Sequence, residues 1–415
     1  MGLQTDEVYL SGGVEASFGS GVPGSPAPLD ILDFAYNPQF TTLERNLLRS
    51  AFSPVGRRVG RKSAQMTFAA EARGTGKTDG SAFPGIDFAL RACGFARTAI
   101  ATPTGRIWGN PENVGAPTIS VTGSYTGTSP RLVVITFTST TQARLVAHET
   151  PNGDAAVAPA ASAVTSGTAW GSVQGATFTF TWTAGNAPAV GDRFYAWLLP
   201  RCTLYTPASS PDSFESAAIQ ATVANKTHTL GGAFGTFQLS ATAGETGRFN
   251  FDFTGDFRLP VVGTVPSRAS TPESTFGALP PMFELADISI DDTTLACPTQ
   301  FSVDTGSTIA SRLCANAAAA NNGAMLTRRE PTATFNMDAV PIATAGQNIW
   351  QMLNDAKRIT LSAYIGQKPG NIIQVIANGQ INNAQYGDVD SIRKQDLTMN
   401  LAGIAGNDEL MIAFA

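Results

Sequence analysis

The segment that comes nearest to a phosphate-binding loop is Arg73-Gly74-Thr75-Gly76-Lys77-Thr78. Such a loop needs a glycine five positions before the glycine of its Gly-Lys pair, so that backbone amides can converge on phosphate. Glu71 stands at that position, and Asp79 to Gly85 is poor material for the helix that would follow. The segment is read as a flexible Gly/Lys loop. Carboxylates cluster at Asp291-Asp292, at Asp388 and Asp390, and at Asp408-Glu409. Paired acids can hydrolyse glycosides when set across a cleft. The latter two sets adjoin Gly387 and Asn407, which favours turns; lining a channel, the same acids would repel a polyanion. The chain has two histidines, His148, expected to be exposed, and His228, expected at a surface or interface. Cys93, Cys202, Cys297 and Cys314 are widely spaced and form no CxxC pair. They read as reduced, mostly buried thiols, not a zinc set. No serine lies in a GxSxG elbow. These residues predict no catalytic set, no metal and no cofactor.

What must such residues be mounted on? The 415 residues have room for two or three domains. Charged residues make up 14% of the chain, well below the usual ~25%, so most of the surface must be polar but uncharged. The net charge of −5 gives no global basic field to hold nucleic acid. The densest basic cluster, Arg57, Arg58, Arg61 and Lys62, has no aromatic platform interleaved with it and suits a structural or inter-subunit role. Neither a secretory signal nor a membrane-length apolar run is present, and Phe194 to Leu199 is only strand-sized. A soluble protein made without export is expected.

Most of the chain reads as strand. Val133 to Thr138 and Thr177 to Trp182 are β-branched and aromatic, while Phe249, Phe251 and Phe253 alternate with Asn250 and Asp252. Period-two alternation is what a half-buried antiparallel strand requires. Two short helices are predicted. Ile86 to Cys93 is one; the other is Gln347 to Lys357, with Thr344 or Asn348 as its cap.

The most informative feature is an internal repeat. Arg61-Lys62 to Thr67-Phe68 lines up with Arg328-Arg329 to Thr334-Phe335, and each segment is followed by one of the helices. The ends also match. Phe237 to Ala241, a Gly-x-x-Gly turn and Phe249 to Phe253 resemble Leu397 to Leu401, Gly403 to Gly406 and Leu410 to Phe414, each read as a hairpin. The excess length of the first half, about 116–199, is nearly free of charge and predicts an inserted small β-sandwich. Pro266 to Pro281 reads as a linker. The small-residue arms Ser17 to Ser25 and Asn316 to Gly323 are expected to order only against neighbours, so that removing residues 1–24 would spare the fold.

Laid out this way, the chain resembles a major tail tube protein of long-tailed (siphovirus-type) bacteriophages. The resemblance rests on His228 to Phe237 leading into Phe249 to Gly255, on Arg328 to Phe335, and on Tyr386-Gly387-Asp388 leading to Gly406 to Leu410. It covers about residues 200–415 well and 30–95 less well. It implies a mainly β fold of two tandem sandwich or rolled-sheet modules, each with a short flanking helix; of the insert, read from its own strand spacing as a small immunoglobulin-like sandwich, it implies only a decorating β domain. Module 1 would span 1–115 and 200–265, the insert 116–199, the linker 266–281 and module 2 282–415. The resemblance further implies a structural virion protein made in the host cytoplasm, not an enzyme, whose rings stack into a hollow tube. Partners would be other copies, as homotrimeric pseudo-sixfold rings or alternatively homohexameric ones, with the tape measure protein and genomic DNA in the lumen. No membrane and no small-molecule substrate are implied. Subunit contacts are expected at Arg61, Lys62, Phe68, Arg328, Arg329 and Phe335, and lumen or turn acids at Asp388, Asp390, Asp408 and Glu409. A competing reading is an adhesive or carbohydrate-binding β protein using Trp170 and Trp182 of the insert; a glycosidase is a third.

Overall fold

The computed structural model describes residues 8–24, 26–45, 56–210, 213–263, 265, 279–285, 287–317, 320–344 and 346–415. Most of the expected linker, 266–278, lies outside the described residues. The first half opens with β1 (Val8–Val14), β2 (Ala27–Leu29), β3 (Asp33–Leu43) and β4 (Arg58–Glu71), followed by helix α1 (Asp87–Ala92) and β5 (Phe95–Ile100). An insertion then supplies β6 (Thr104–Gly109), β7 (Thr118–Thr122), β8 (Arg131–Ser139), β9 (Gln142–Ala147), β10 (Ser162–Ala163), β11 (Ala169–Val173), β12 (Ala176–Thr181) and β13 (Arg193–Leu199). The chain returns through β14 (Cys202–Pro207), β15 (Ala217–Val223), β16 (Lys226–Thr242), β17 (Arg248–Phe257) and β18 (Val261–Val262). The second half holds β19 (Ser289–Ile290), β20 (Thr293–Thr294), β21 (Gln300–Asp304), β22 (Ser307–Leu313), β23 (Asn321–Arg329) and β24 (Thr332–Asp338). It ends with α2 (Ile349–Asn354), β25 (Arg358–Ile365), β26 (Ile373–Val389), β27 (Ile392–Leu401) and β28 (Leu410–Phe414). The protein is mainly antiparallel β with two six-residue helices among the described residues, and Asn348 Oδ1 caps α2 by accepting from the Gln351 amide at 3.1 Å.

The two halves repeat one strand pattern. In the first, β4 pairs with β17, β17 with β16, and β16 with β15. In the second, β24 pairs with β27, β27 with β26, and β26 with β25. The long strands β16 and β26 each have 17 residues, and their partners β17 and β27 each have 10. Each long strand is bulged, between Gly231 and Phe234 or between Ile381 and Asn383, where it passes from one set of partners to the other. The halves are joined because β21 pairs with both β16 and β24. One apolar core, including Leu10, Phe68, Leu90, Phe237, Phe251, Phe301, Phe335 and Ile412, runs through both.

Two expectations are corrected here. Leu397 to Leu401 and Leu410 to Phe414 do not form a hairpin with each other: β27 pairs with β24 and β26, while β28 lies between β26 and β14. The counterpart of the β16–β17 hairpin is β26–β27. The amino-terminal arm is also ordered within the chain. β1 pairs with β15, Leu10 is buried, and the buried Glu15 carboxylate accepts from the amides of Gly19, Gly21 and Gly232 and from Ser216 Oγ. Removing residues 1–24 would strip a strand from the sheet.

The insertion folds as two facing antiparallel sheets, β10-β9-β8-β13-β6 and β11-β12-β7, whose strands start at Thr104, upstream of 116. Phe137, Phe178, Phe180, Phe194 and Leu198 fill the space between them. Ile100 lies directly opposite Cys202, so the insertion leaves and re-enters at one point. It is not pendant. The outward face of β13 (Tyr195, Trp197, Leu199) packs on Ile376, Met411 and Ala413 of the second half. Trp197 Nε1 donates to Gln374 Oε1 at 2.6 Å, and Tyr364 Oη donates to the Pro130 carbonyl at 2.9 Å.

Candidate functional site

The residues that invited a chemical reading are engaged in holding the fold. Gly74 donates to Asn371 Oδ1 at 2.8 Å, and Gly76 donates to the Gly370 carbonyl at 2.8 Å. A Cβ on Gly74 would lie 2.3 Å from the Gly370 carbonyl oxygen. The glycines therefore allow two backbones to meet, which is one of the two physical reasons for a glycine-rich loop. Asp291 is 2% exposed. It pairs with Arg193 and with Lys357 Nζ (3.4 Å), and accepts from Tyr195 Oη at 2.9 Å and the Thr360 amide at 3.0 Å. The fully buried Tyr195 phenol is pushed well above its usual range by desolvation. His148 is not exposed. Its side chain sits between insertion and body, with Nε2 3.2 Å from the Asp291 carbonyl and Nδ1 3.2 Å from Thr294 Oγ1. Among the described residues no cluster of His, Cys, Asp and Glu could hold a metal, and no helix is long and apolar enough to cross a membrane. Cys93 and Cys202 are buried, Cys314 is half-buried and Cys297 is exposed; all four are free thiols.

The predicted contact residues fall into three settings. Phe68 and Phe335 are core residues, 3% and 1% exposed, and pair across strands with Phe251 and Leu397. Neither presents a surface to another subunit. Arg329 is tied inside the chain: Nε donates to Glu409 Oε1 at 3.0 Å and Nη1 to the Ala208 carbonyl at 3.2 Å. Arg328 is exposed and pairs with Glu330, while Arg61 and Lys62 are half-buried on β4, Lys62 opposite Phe40 of β3. Of the acids, Asp408 is 2% exposed and accepts from the amides of Ile404 and Ala405 at 2.8 and 2.9 Å, closing the turn before β28. Asp388 and Asp390 are exposed at the end of the β26–β27 hairpin, where Asp390 and Ser391 both have positive φ, 50° and 66°. That is the two-residue turn whose twist matches the strands it joins.

The feature that satisfies nothing inside the chain is larger than any of these. The pairings run without interruption through β3, β4, β17, β16, β21, β24, β27 and β26. Among the described residues the sheet is open at both ends. β3 pairs only with β4, and on β26 the residues beyond Gln380 pair only with β27. β3 is an 11-residue edge strand, mostly exposed, with one charged residue, Asp33. Such an edge presents unpaired amides and carbonyls and is a template for another strand.

Each face of this sheet has its own chemistry, because successive residues of a strand alternate sides. One side carries the core. The other carries Gln65, Thr67, Asn250, Asp252, Gln238, Asp304, Thr334, Asp396, Thr398 and Gln385, all exposed or half-buried. Asp252 accepts from Gln65 Nε2 at 2.8 Å across two strands, which fixes both to the same side. The acids of this strip are Asp252, Asp304 and Asp396; the same face also carries Arg248, exposed and opposite Glu71, and Lys394, buried and paired with Asp338. The alternation of Phe249, Phe251 and Phe253 with Asn250 and Asp252 was the signal that could have identified them.

The core side of the β3 end is an apolar groove of about 550 Å³, lined by Phe34, Tyr36, Phe40, His228 and Phe257 among others. His228 sits 4.6 Å from Tyr36, ring centre to ring centre. Burial pushes the Tyr36 phenol up to about 12 and, with Lys226 nearby, holds His228 below its usual value. At the β26 end the exposed side chains are Tyr386 and Trp350, 5.6 Å apart, with Arg393 over Tyr386. Comparison with protein-family models and with curated proteins gives no match.

Proposed function

We propose that this protein is a structural subunit that polymerises through its sheet edges into stacked rings, forming the hollow tail tube of a long-tailed phage. The observation that carries this reading is the eight-strand sheet, made of two like quartets, open at both ends and polar on one face. A closed ring of copies leaves no edge unpaired, and closure is how antiparallel sheets abolish exposed edges. With two quartets per chain, three chains give a ring with pseudo-sixfold symmetry. The polar strip then faces the lumen, where side chains are mostly uncharged and Asp252, Asp304 and Asp396 outnumber the exposed Arg248, so that a nucleic acid is held weakly. The insertion, packed on the body through β13, would decorate the tube. The tube reading is favoured over an adhesive one because Trp170 is 8% exposed, with Nε1 donating to Ser162 Oγ at 2.8 Å, and half-buried Trp182 packs against the sandwich core.

Negative-stain images of the purified protein test the proposal. Hollow cylinders of uniform diameter, with three knobs in end-on averages, are the expected result. A compact monomer at high concentration under all conditions would sink it.

A further inference from the structure

We propose that adjoining copies meet by pairing β3 of one copy with β26 of the next in a single register, Tyr36 opposite Tyr386, so that Tyr386 and Trp350 cover the groove at Phe34, Tyr36, Phe40, His228 and Phe257. This rests on the tube reading above and names its contact.

The warrant is a junction already present inside the chain. Phe68 and Phe335 are equivalent positions of β4 and β24. Phe68 lies opposite Phe251 and Phe335 opposite Leu397, which makes those two equivalent. On the long strands, Phe251 lies opposite Phe237 and Leu397 opposite Ala384, so Leu239 of β16 corresponds to Tyr386 of β26. On the other side, Phe68 lies opposite Phe34 and Phe335 opposite Phe301, so β3 corresponds to β21, and Tyr36 to Val303. Within the chain, Leu239 is paired directly with Val303. Carried to the free edges, that pair becomes Tyr386 with Tyr36 of the neighbour. Gln385 then faces Asn37, and Gly387 faces Ala35.

Burial gives an independent reason. Where the junction exists, its inward residues are shut off from water: Leu239 0%, Ala241 3%, Phe301 1% and Val303 1% exposed. At the open ends the equivalent strands are uncovered. Tyr386 is 56% exposed, Trp350 36% and Phe40 43%. Large aromatic groups left in water at one edge, and an apolar groove at the other, are complementary surfaces. Among the described residues Tyr36 Oη and His228 Nδ1 have no hydrogen-bond partner, and the phenol of Tyr386 would arrive beside them.

The test is a register-specific cross-link. In a Cys297→Ser, Cys314→Ser background, Asn37→Cys is combined with Gln385→Cys. Directly opposed residues have Cα atoms about 4.5–5.5 Å apart, within disulfide range. The control combines Ala35→Cys with Asn383→Cys, four positions out of step, or about 13 Å. After oxidation of assembled material, the first pair should convert most of the monomer to covalent multimers on a non-reducing gel, and the control should remain monomeric. Tubes that form without linking the first pair, or that link the control equally, overturn this register while leaving the tube reading intact. Absence of tubes from the unmodified chain defeats the tube reading itself. Tyr386→Arg gives a second readout at an exposed position. With an unchanged melting temperature, the concentration needed for assembly should rise at least tenfold, and an unchanged threshold counts against the groove contact.

Discussion

At the scale of single residues, the polar groups that matter most are buried acids with several donors each. Glu15 gathers three backbone amides and a serine hydroxyl from segments far apart in sequence. Glu15→Ala leaves those donors without an acceptor, and should lower unfolding free energy by about 2–4 kcal/mol in a denaturant titration. Asp287 is the opposite case. Burial pushes its carboxyl up, His148 and a hydrogen bond from Thr294 partly offsetting this, and among the described residues its Oδ1 has no partner. A raised native value means that the folded state holds the proton longer than the unfolded chain does. Its contribution to stability is therefore present at acid pH and is lost as pH rises through the native value. Asp287→Asn should raise the melting temperature at pH 7, and the gain should vanish below about pH 4, where the unfolded carboxyl is also protonated. Gly74 shows what the sequence could and could not disclose at this scale. The glycines read as a flexible loop, but Gly74 is held by Asn371, 297 positions away. Phosphate and backbone make the same demand on a loop, so the residue type alone could not choose between them.

Among elements, strand identity was legible and strand partnership was not. The alternation in Phe249 to Phe253 marks a one-sided strand, and β17 is one, with Phe249, Phe251 and Phe253 in the core. Leu410 to Phe414 is apolar at every position, which is the pattern of a strand buried on both faces. Leu410, Ile412 and Phe414 enter the main core, while Met411 and Ala413 meet the insertion. That continuous apolar run argued against a simple terminal hairpin. The Gly-x-x-Gly turn concealed this, because a turn fixes a reversal of direction without naming the neighbour. β13 has the same two-sided character: Phe194, Ala196 and Leu198 point into the sandwich, and Tyr195, Trp197 and Leu199 onto the body. It follows that insertion and body unfold together. Trp197→Ala removes a fully buried side chain and leaves Gln374 Oε1 without its donor. It should cost about 3–5 kcal/mol, and unfolding followed by fluorescence and by circular dichroism should remain one coincident transition. Two separate transitions in the unaltered protein would mean that the insertion is an independent unit.

Over the whole molecule, the open sheet keeps its exposed aromatic groups at its two ends and a polar strip between them. The exposed strip between the sheet ends holds amides, hydroxyls, a few aspartates and Arg248. If that strip lines a lumen, its sign of charge controls what adheres to it. A polyanion is held by cations in proportion to the counterions released, and acidic walls release none. Asp252 and Asp396 are the residues to change, because Asp304 also accepts from the Gly306 amide at 2.7 Å and closes a turn. Asp252→Lys with Asp396→Lys, repeated in every copy of a ring, sets a belt of positive charge along the strip; because Asp396 lies opposite Gln385 of β26, tube formation by the variant is checked first. Assembled tubes of this variant should retain short duplex DNA at low salt and release it as salt rises, while unaltered tubes and the Asp→Asn pair retain none. Equal retention by all three would mean that the strip does not face an enclosed channel, however well the tubes form.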